Sequence, residues 1–134
     1  MNTISLVQHW RQAFGLPYPD KPVVTERAIH SMKVLKEEVD DELLESIEHY
    51  AATGEMVEIL DVLIDIEYFL ANCYIMFGLS DLREPGFREV HRSNMTKLGP
   101  DGKPVFREDG KVMKGPNYEP PNLKQFFTQP KPHP

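Results

Sequence analysis

The chain has 134 residues, of which 40% are hydrophobic, with a single cysteine, 12 prolines and a formal net charge of -6. That length predicts one domain, and the apolar fraction suffices for a folded core, which excludes wholesale disorder. The acidic balance excludes a general binder of nucleic-acid polymers, which needs a dominant basic surface.

Met1 leads into Asn2-Thr3-Ile4-Ser5 and not into a basic-then-apolar run, so no secretory leader is expected. Thr3 to Phe14 carries Leu6, Val7, Trp10 and Phe14 at helical spacing, which predicts a short amphipathic helix ending at Gly15. Pro17, Pro19 and Pro22 then force a loop. Thr25 is placed to cap a long second helix with an apolar stripe of Ile29, Met32, Val39, Leu43, Ile47 and Tyr50. Thr53-Gly54 marks its break, and within the almost wholly apolar segment Met56 to Leu79 a third helix is expected to run to Gly78. Asp61, Asp65, Glu67 and Asn72 interrupt this helix, which argues against a membrane span. The lone Cys73 fits a reducing cytoplasm. Ser80 or Asp81 opens a further turn, and Pro85 sits in the first turn of a fourth helix reaching about Lys97.

Beyond Leu98 the composition changes: eight of the 12 prolines lie from Pro100 onward. Residues 104–107 and 111–114, around Asp109-Gly110, predict a small β-hairpin, followed by an extended segment and a poorly ordered Thr128–Pro134. The predicted class is therefore all-α: about four helices per chain, a C-terminal hairpin and a Pro-rich tail. Residues 1–98 are expected to form the helical part, with 99–134 belonging to the same domain. The third helix needs apolar neighbours on most sides. Pairing two chains, as a homodimer or a dimer of dimers, supplies them.

The charge is partitioned. From Glu37 to Glu67 there are twelve Asp or Glu and no Lys or Arg, whereas Arg88 to Lys114 holds seven Lys or Arg against four Asp or Glu. One region suits a cation and another an anion, which suggests a phosphorylated ligand bound through metal. On the third helix Glu58, Asp61 and Asp65 fall within an arc of roughly 60°. Carboxylates on an apolar helix are costly unless paired or metal-bound, and oxygen-rich sites are what Mg²⁺ accepts. On the second helix Glu37 and Asp41 are i,i+4, Glu38 and Asp41 are i,i+3, and either pair can face Glu58 and Asp61. If both helices ran straight to Gly54, Asp41 and Asp61 would be offset by roughly 6 Å. A second helix ending near His49 closes the site more easily, and a straight helix through Ala52 favours a different ligand set. Asp40, Glu42, Glu45 and Glu48 are expected to be a solvated face, with Glu42 an alternative ligand. Trp10, Phe14 and Phe69 are expected in the core. His9, His30, His49 and His133 lack metal-ligand spacing, and a di-iron carboxylate site lacks its Glu-x-x-His pairs.

The spacing Glu37-Glu38-x-x-Asp41, a helix break, then Glu58-x-x-Asp61 resembles the MazG-like and phosphoribosyl-ATP pyrophosphohydrolase-like superfamily of all-α nucleoside triphosphate pyrophosphohydrolases. The opening His9 to Pro17, the segment Glu89 to Lys97, the Asp-Gly-Lys hairpin and Lys114-Gly115-Pro116 look like the phosphoribosyl-ATP pyrophosphohydrolase-like branch. The likeness runs from about Gln8 to Leu123. It departs at Asp41, where the family usually has Glu.

The resemblance implies cleavage of a nucleotide between its α- and β-phosphates with Mg²⁺, Mn²⁺ being an alternative. It implies metal ligands drawn from Glu37, Glu38, Asp41, Glu58 and Asp61, with Glu38 as the base that takes the water's proton. Asn94 and Lys97 would face the phosphates, and Lys111, Lys114 and Tyr118 would close over the nucleotide. Near alternatives are a dUTP-preferring enzyme or a phosphoribosyl-ATP hydrolase; an alternative of another class is a non-catalytic metal-binding α-helical dimer.

Overall fold

A computed structural model describes residues 2–127, and the expectation for Thr128–Pro134 lies outside them. Four α-helices dominate: α1 Thr3–Ala13, α2 Glu26–Thr53, α3 Val57–Met76 and α4 Arg83–Met95. A two-stranded antiparallel sheet, β1 Val105–Phe106 with β2 Val112–Met113, pairs Val105 with Met113 and Phe106 with Val112. Among the described residues no single helix is long and apolar enough to cross a membrane.

The helix boundaries follow from local chemistry. Asn2 Oδ1 accepts from the Ser5 N–H at 2.8 Å and starts α1, and Thr25 Oγ1 accepts from the Ala28 N–H at 3.1 Å and starts α2. Each such cap stabilises a helix start by about 1 kcal/mol. α2 ends on Gly54, whose φ of 74° is the left-handed conformation that lets its N–H reach Tyr50 O. Three residues later, at Val57, α3 begins, so α2 and α3 form an antiparallel hairpin whose long faces pack together.

The described residues divide into two compact units at Ser80. In the first, α1 lies on α3 through Ile4, Val7, Ala71 and Ile75, flanked by Tyr18 and Tyr74. The loop between α1 and α2 is held to the C-terminal end of α3 by Val23 N–H donating to Phe77 O at 3.0 Å. Gly78, at φ 67°, allows this closeness: a Cβ there would stand 1.9 Å from Lys21 O. In the second unit Ser93 Oγ donates to Glu119 O, Glu119 N–H donates to Thr96 Oγ1, and Asn122 N–H donates to Glu89. These bonds strap the extended 115–122 segment along α4. The division falls before α4.

Three expectations about packing are corrected. α2 runs unbroken to Thr53 instead of ending near His49, because the left-handed Gly54 closes the last turn without strain. Within the chain α2 buries Ala28, Ser31 and Ser46, while Ile29, Met32, Ile47 and Tyr50 of the expected stripe are exposed. Small residues let α3 approach closely, and Ser31 and Ser46 satisfy their hydroxyls on Ala28 O and Leu43 O one turn back. Trp10 and Phe14 are exposed and form an aromatic cluster with each other, their ring centroids 5.1 Å apart, and not a core.

Candidate functional site

The α2–α3 hairpin sets which acids meet. Residues about equally far from the turn on the two arms stand side by side, so Glu45 falls opposite Asp61 and Glu42 opposite Asp65. A cavity of about 270 Å³ opens between them, lined by Glu42, Glu45, Ser46, Glu58, Asp61, Val62 and Asp65. Two of the expected acids, Glu58 and Asp61, are in this lining, whereas Glu37 and Asp41 are not. On the α2 side the lining acids are Glu42, the alternative ligand, and Glu45, expected on a solvated face. The hairpin register, with comparable separations from the turn on each side, is the signal that finds them.

Glu38 lies a turn before Glu42 on α2 and belongs to the same electrostatic group. Its carboxyl is held above the ordinary glutamate range, first by burial and then by the negative charges of Glu42, Asp65, Asp61 and Asp41. Glu38 and Asp65 are half-buried, while Glu42, Glu45, Glu58 and Asp61 are exposed. The expected seclusion of these acids from water is thus limited to two of them within one chain. At the turn end of the row, His49 Nε2 stands 3.6 Å from Glu58 and 3.7 Å from Glu55, so this histidine neighbours the acids instead of merely capping a surface.

Among the described residues no three Asp, Glu, His or Cys side chains stand close enough together to hold a metal ion. In kind, the donors fit a hard divalent cation: the cavity is lined by five carboxylates from two helices and by no lysine or arginine. Acids facing one another repel, and that repulsion adds to burial in raising the Glu38 carboxyl.

The other expected residues lie in the second unit. Asn94 and Lys111 are exposed and Lys97 is half-buried. Lys97 O accepts from the Gly115 N–H at 3.0 Å, Gly115 O accepts from the Tyr118 N–H, and Lys114 Nζ lies 4.7 Å from the centre of the Tyr118 ring. Lys97, Lys114 and Tyr118 are thus brought into one local cluster by the Gly115 turn, with a cation–π contact at its edge.

A solved structure of a candidate NTP pyrophosphohydrolase from Exiguobacterium sp. 255-15 is similar to this chain. It is 26% identical, with 93% of each chain covered and a TM-score of 0.50. No family model matches the chain, and no curated protein sequence does.

Proposed function

We propose that this chain is a Mg²⁺-dependent nucleoside triphosphate pyrophosphohydrolase of the MazG-like kind, cleaving a nucleotide between its α- and β-phosphates to a monophosphate and pyrophosphate. The carrying observation is the acidic cavity of the α2–α3 hairpin, with Glu42 and Glu45 on one wall and Glu58, Asp61 and Asp65 on the other. The similarity to the Exiguobacterium protein over 93% of both chains supports the same class.

In this reading Glu42, Glu45, Glu58, Asp61 and Asp65 hold the cation, replacing Glu37 and Asp41 of the sequence-based set. When bound, Mg²⁺ neutralises phosphate charge and lowers the proton affinity of a water. Phosphoryl transfer asks the protein mainly for positioning and charge neutralisation, and a row of fixed carboxylates provides both. Glu38 takes the proton of the attacking water, since its raised carboxyl brings it closer to neutral operating pH than an ordinary glutamate. His49 keeps the Glu58 end of the row populated by a partner. In the second unit Lys114 stands over the Tyr118 ring.

The apolar groups left exposed on α2 and α3, among them Met32, Ile47, Leu60, Leu63 and Ile64, support a homodimer in which a second copy covers them.

The test is to incubate the protein with a panel of ribo- and deoxynucleoside triphosphates and Mg²⁺ and to identify the products. The expected products are monophosphate and pyrophosphate, in equal amounts. Release of inorganic phosphate with a diphosphate, or no turnover on any nucleotide by folded protein, contradicts the proposal.

A further inference from the structure

A second cavity, of about 460 Å³, lies in the same α2–α3 groove beyond the acids. Its walls come from residues 26–34 of α2 and 69–76 of α3, closed by Arg11 of α1. Along α3, Asn72 is seven residues past Asp65, a separation of about 10 Å.

Arg11 dominates the floor. Its accessible surface is only 7% of the full value, an unusual degree of burial for a guanidinium. One terminal nitrogen donates to Asn72 Oδ1 at 2.9 Å and the other to Pro17 O at 2.9 Å. The Nε is buried and has no hydrogen-bond partner. Among the described residues neither Arg11 nor Arg27, which lines the same cavity, forms an ion pair with a carboxylate. A buried guanidinium without a counter-charge is costly. Burial and the neighbouring charge of Arg27 both lower the proton affinity of Arg11, Tyr18 opposing them.

The polar lining has a definite pattern. Both arginines only donate. The Arg11 bond takes Asn72 Oδ1, which leaves the amide N–H₂ of Asn72 as a further donor. Glu26, at the first turn of α2, is the one carboxylate in the lining, beside His30 and Ser31. Leu16, Val34, Phe69 and Met76 supply flat apolar walls. Arginine pairs two-pronged with the O6 and N7 of guanine, whereas adenine presents an amine where that fork needs an acceptor. Guanine's ring N–H and amine are donors, and a carboxylate such as Glu26 meets them.

We infer that this cavity is a nucleobase site selecting an oxo-purine of the guanine type, with Arg11 and Arg27 donating to the O6/N7 edge and Glu26 accepting from the N1/N2 edge. The inference rests on the proposed function for the location of the phosphates, at the acids one side of the groove. It assigns base choice to residues of α1 and the start of α2, and not to Tyr118.

The experiment has two arms on the full chain. Binding of guanosine, adenosine, cytidine and uridine, without phosphate or metal, is measured by NMR or calorimetry. Pyrophosphate release from the matching triphosphates is measured with Mg²⁺. Guanosine is expected to bind at least about tenfold more tightly than adenosine, the scale of one well-made two-pronged contact. The preference in hydrolysis is expected in KM, with kcat nearly level. Arg27→Gln and Glu26→Gln, both at exposed positions and checked for folding by circular dichroism, are each expected to reduce the guanosine preference about fivefold or more. Hydrolysis that is indifferent to the base, or an unchanged preference in both variants, overturns the cavity assignment and leaves the hydrolase reading intact. Selective guanosine binding without hydrolysis of any nucleotide supports the cavity and overturns the hydrolase reading.

Discussion

Glu38 is the residue on which chemistry and stability pull in opposite directions. Its folded carboxyl has a higher proton affinity than the unfolded one, through burial and four neighbouring acids. Between the two proton affinities the folded state binds more protons, so in the metal-free protein this group's contribution to stability falls as pH rises. Glu38→Gln is therefore expected to raise the melting temperature of metal-free protein at neutral pH and to leave it little changed at low pH, measured by thermal denaturation across pH. The same substitution removes the proposed base. It should lower kcat by about 10²- to 10⁴-fold.

At the scale of elements, the hairpin turn decides which residues form the candidate site. The sequence located all four helices, the Thr25 cap, the Gly54 break and the Asp109-Gly110 hairpin, because caps, glycines and prolines act through neighbouring residues. It also put Glu58 and Asp61 on one face of α3, and both line the acidic cavity. It did not fix the end of α2, since whether that helix runs straight to Thr53 or stops near His49 is a matter of a single turn's closure, which the pattern of residues does not record. Arg11 was passed over because nothing in its immediate neighbours announces burial; that comes from α1 lying on α3. The turn itself is testable. Gly54→Ala forces a side chain into a left-handed conformation with open space around it and should cost about 1–2 kcal/mol in denaturant unfolding. Gly78→Ala adds a collision with Lys21 O to the same strain and should cost more, about 3 kcal/mol or beyond.

At the scale of the whole molecule, α2 and α3 leave an apolar surface that one chain does not cover, with Leu60 at 61% and Met32 at 57% exposure. Light scattering after size exclusion is expected to give at least twice the 15.5 kDa chain mass. Leu63→Glu should shift it toward a single chain without unfolding it, because Leu63 is exposed within the chain. A mass of one chain for the parent would remove the homodimer from the account. The central claim is narrower: the acids that α2 and α3 turn toward each other form one cation site. Calorimetric titration of the metal-free protein with Mn²⁺, comparing the parent with Glu45→Gln and Asp61→Asn, tests it most directly. The account predicts saturable binding by the parent and a loss of about tenfold or more in each variant, one from either helix. Equal binding in all three folded proteins, or none in the parent, contradicts it.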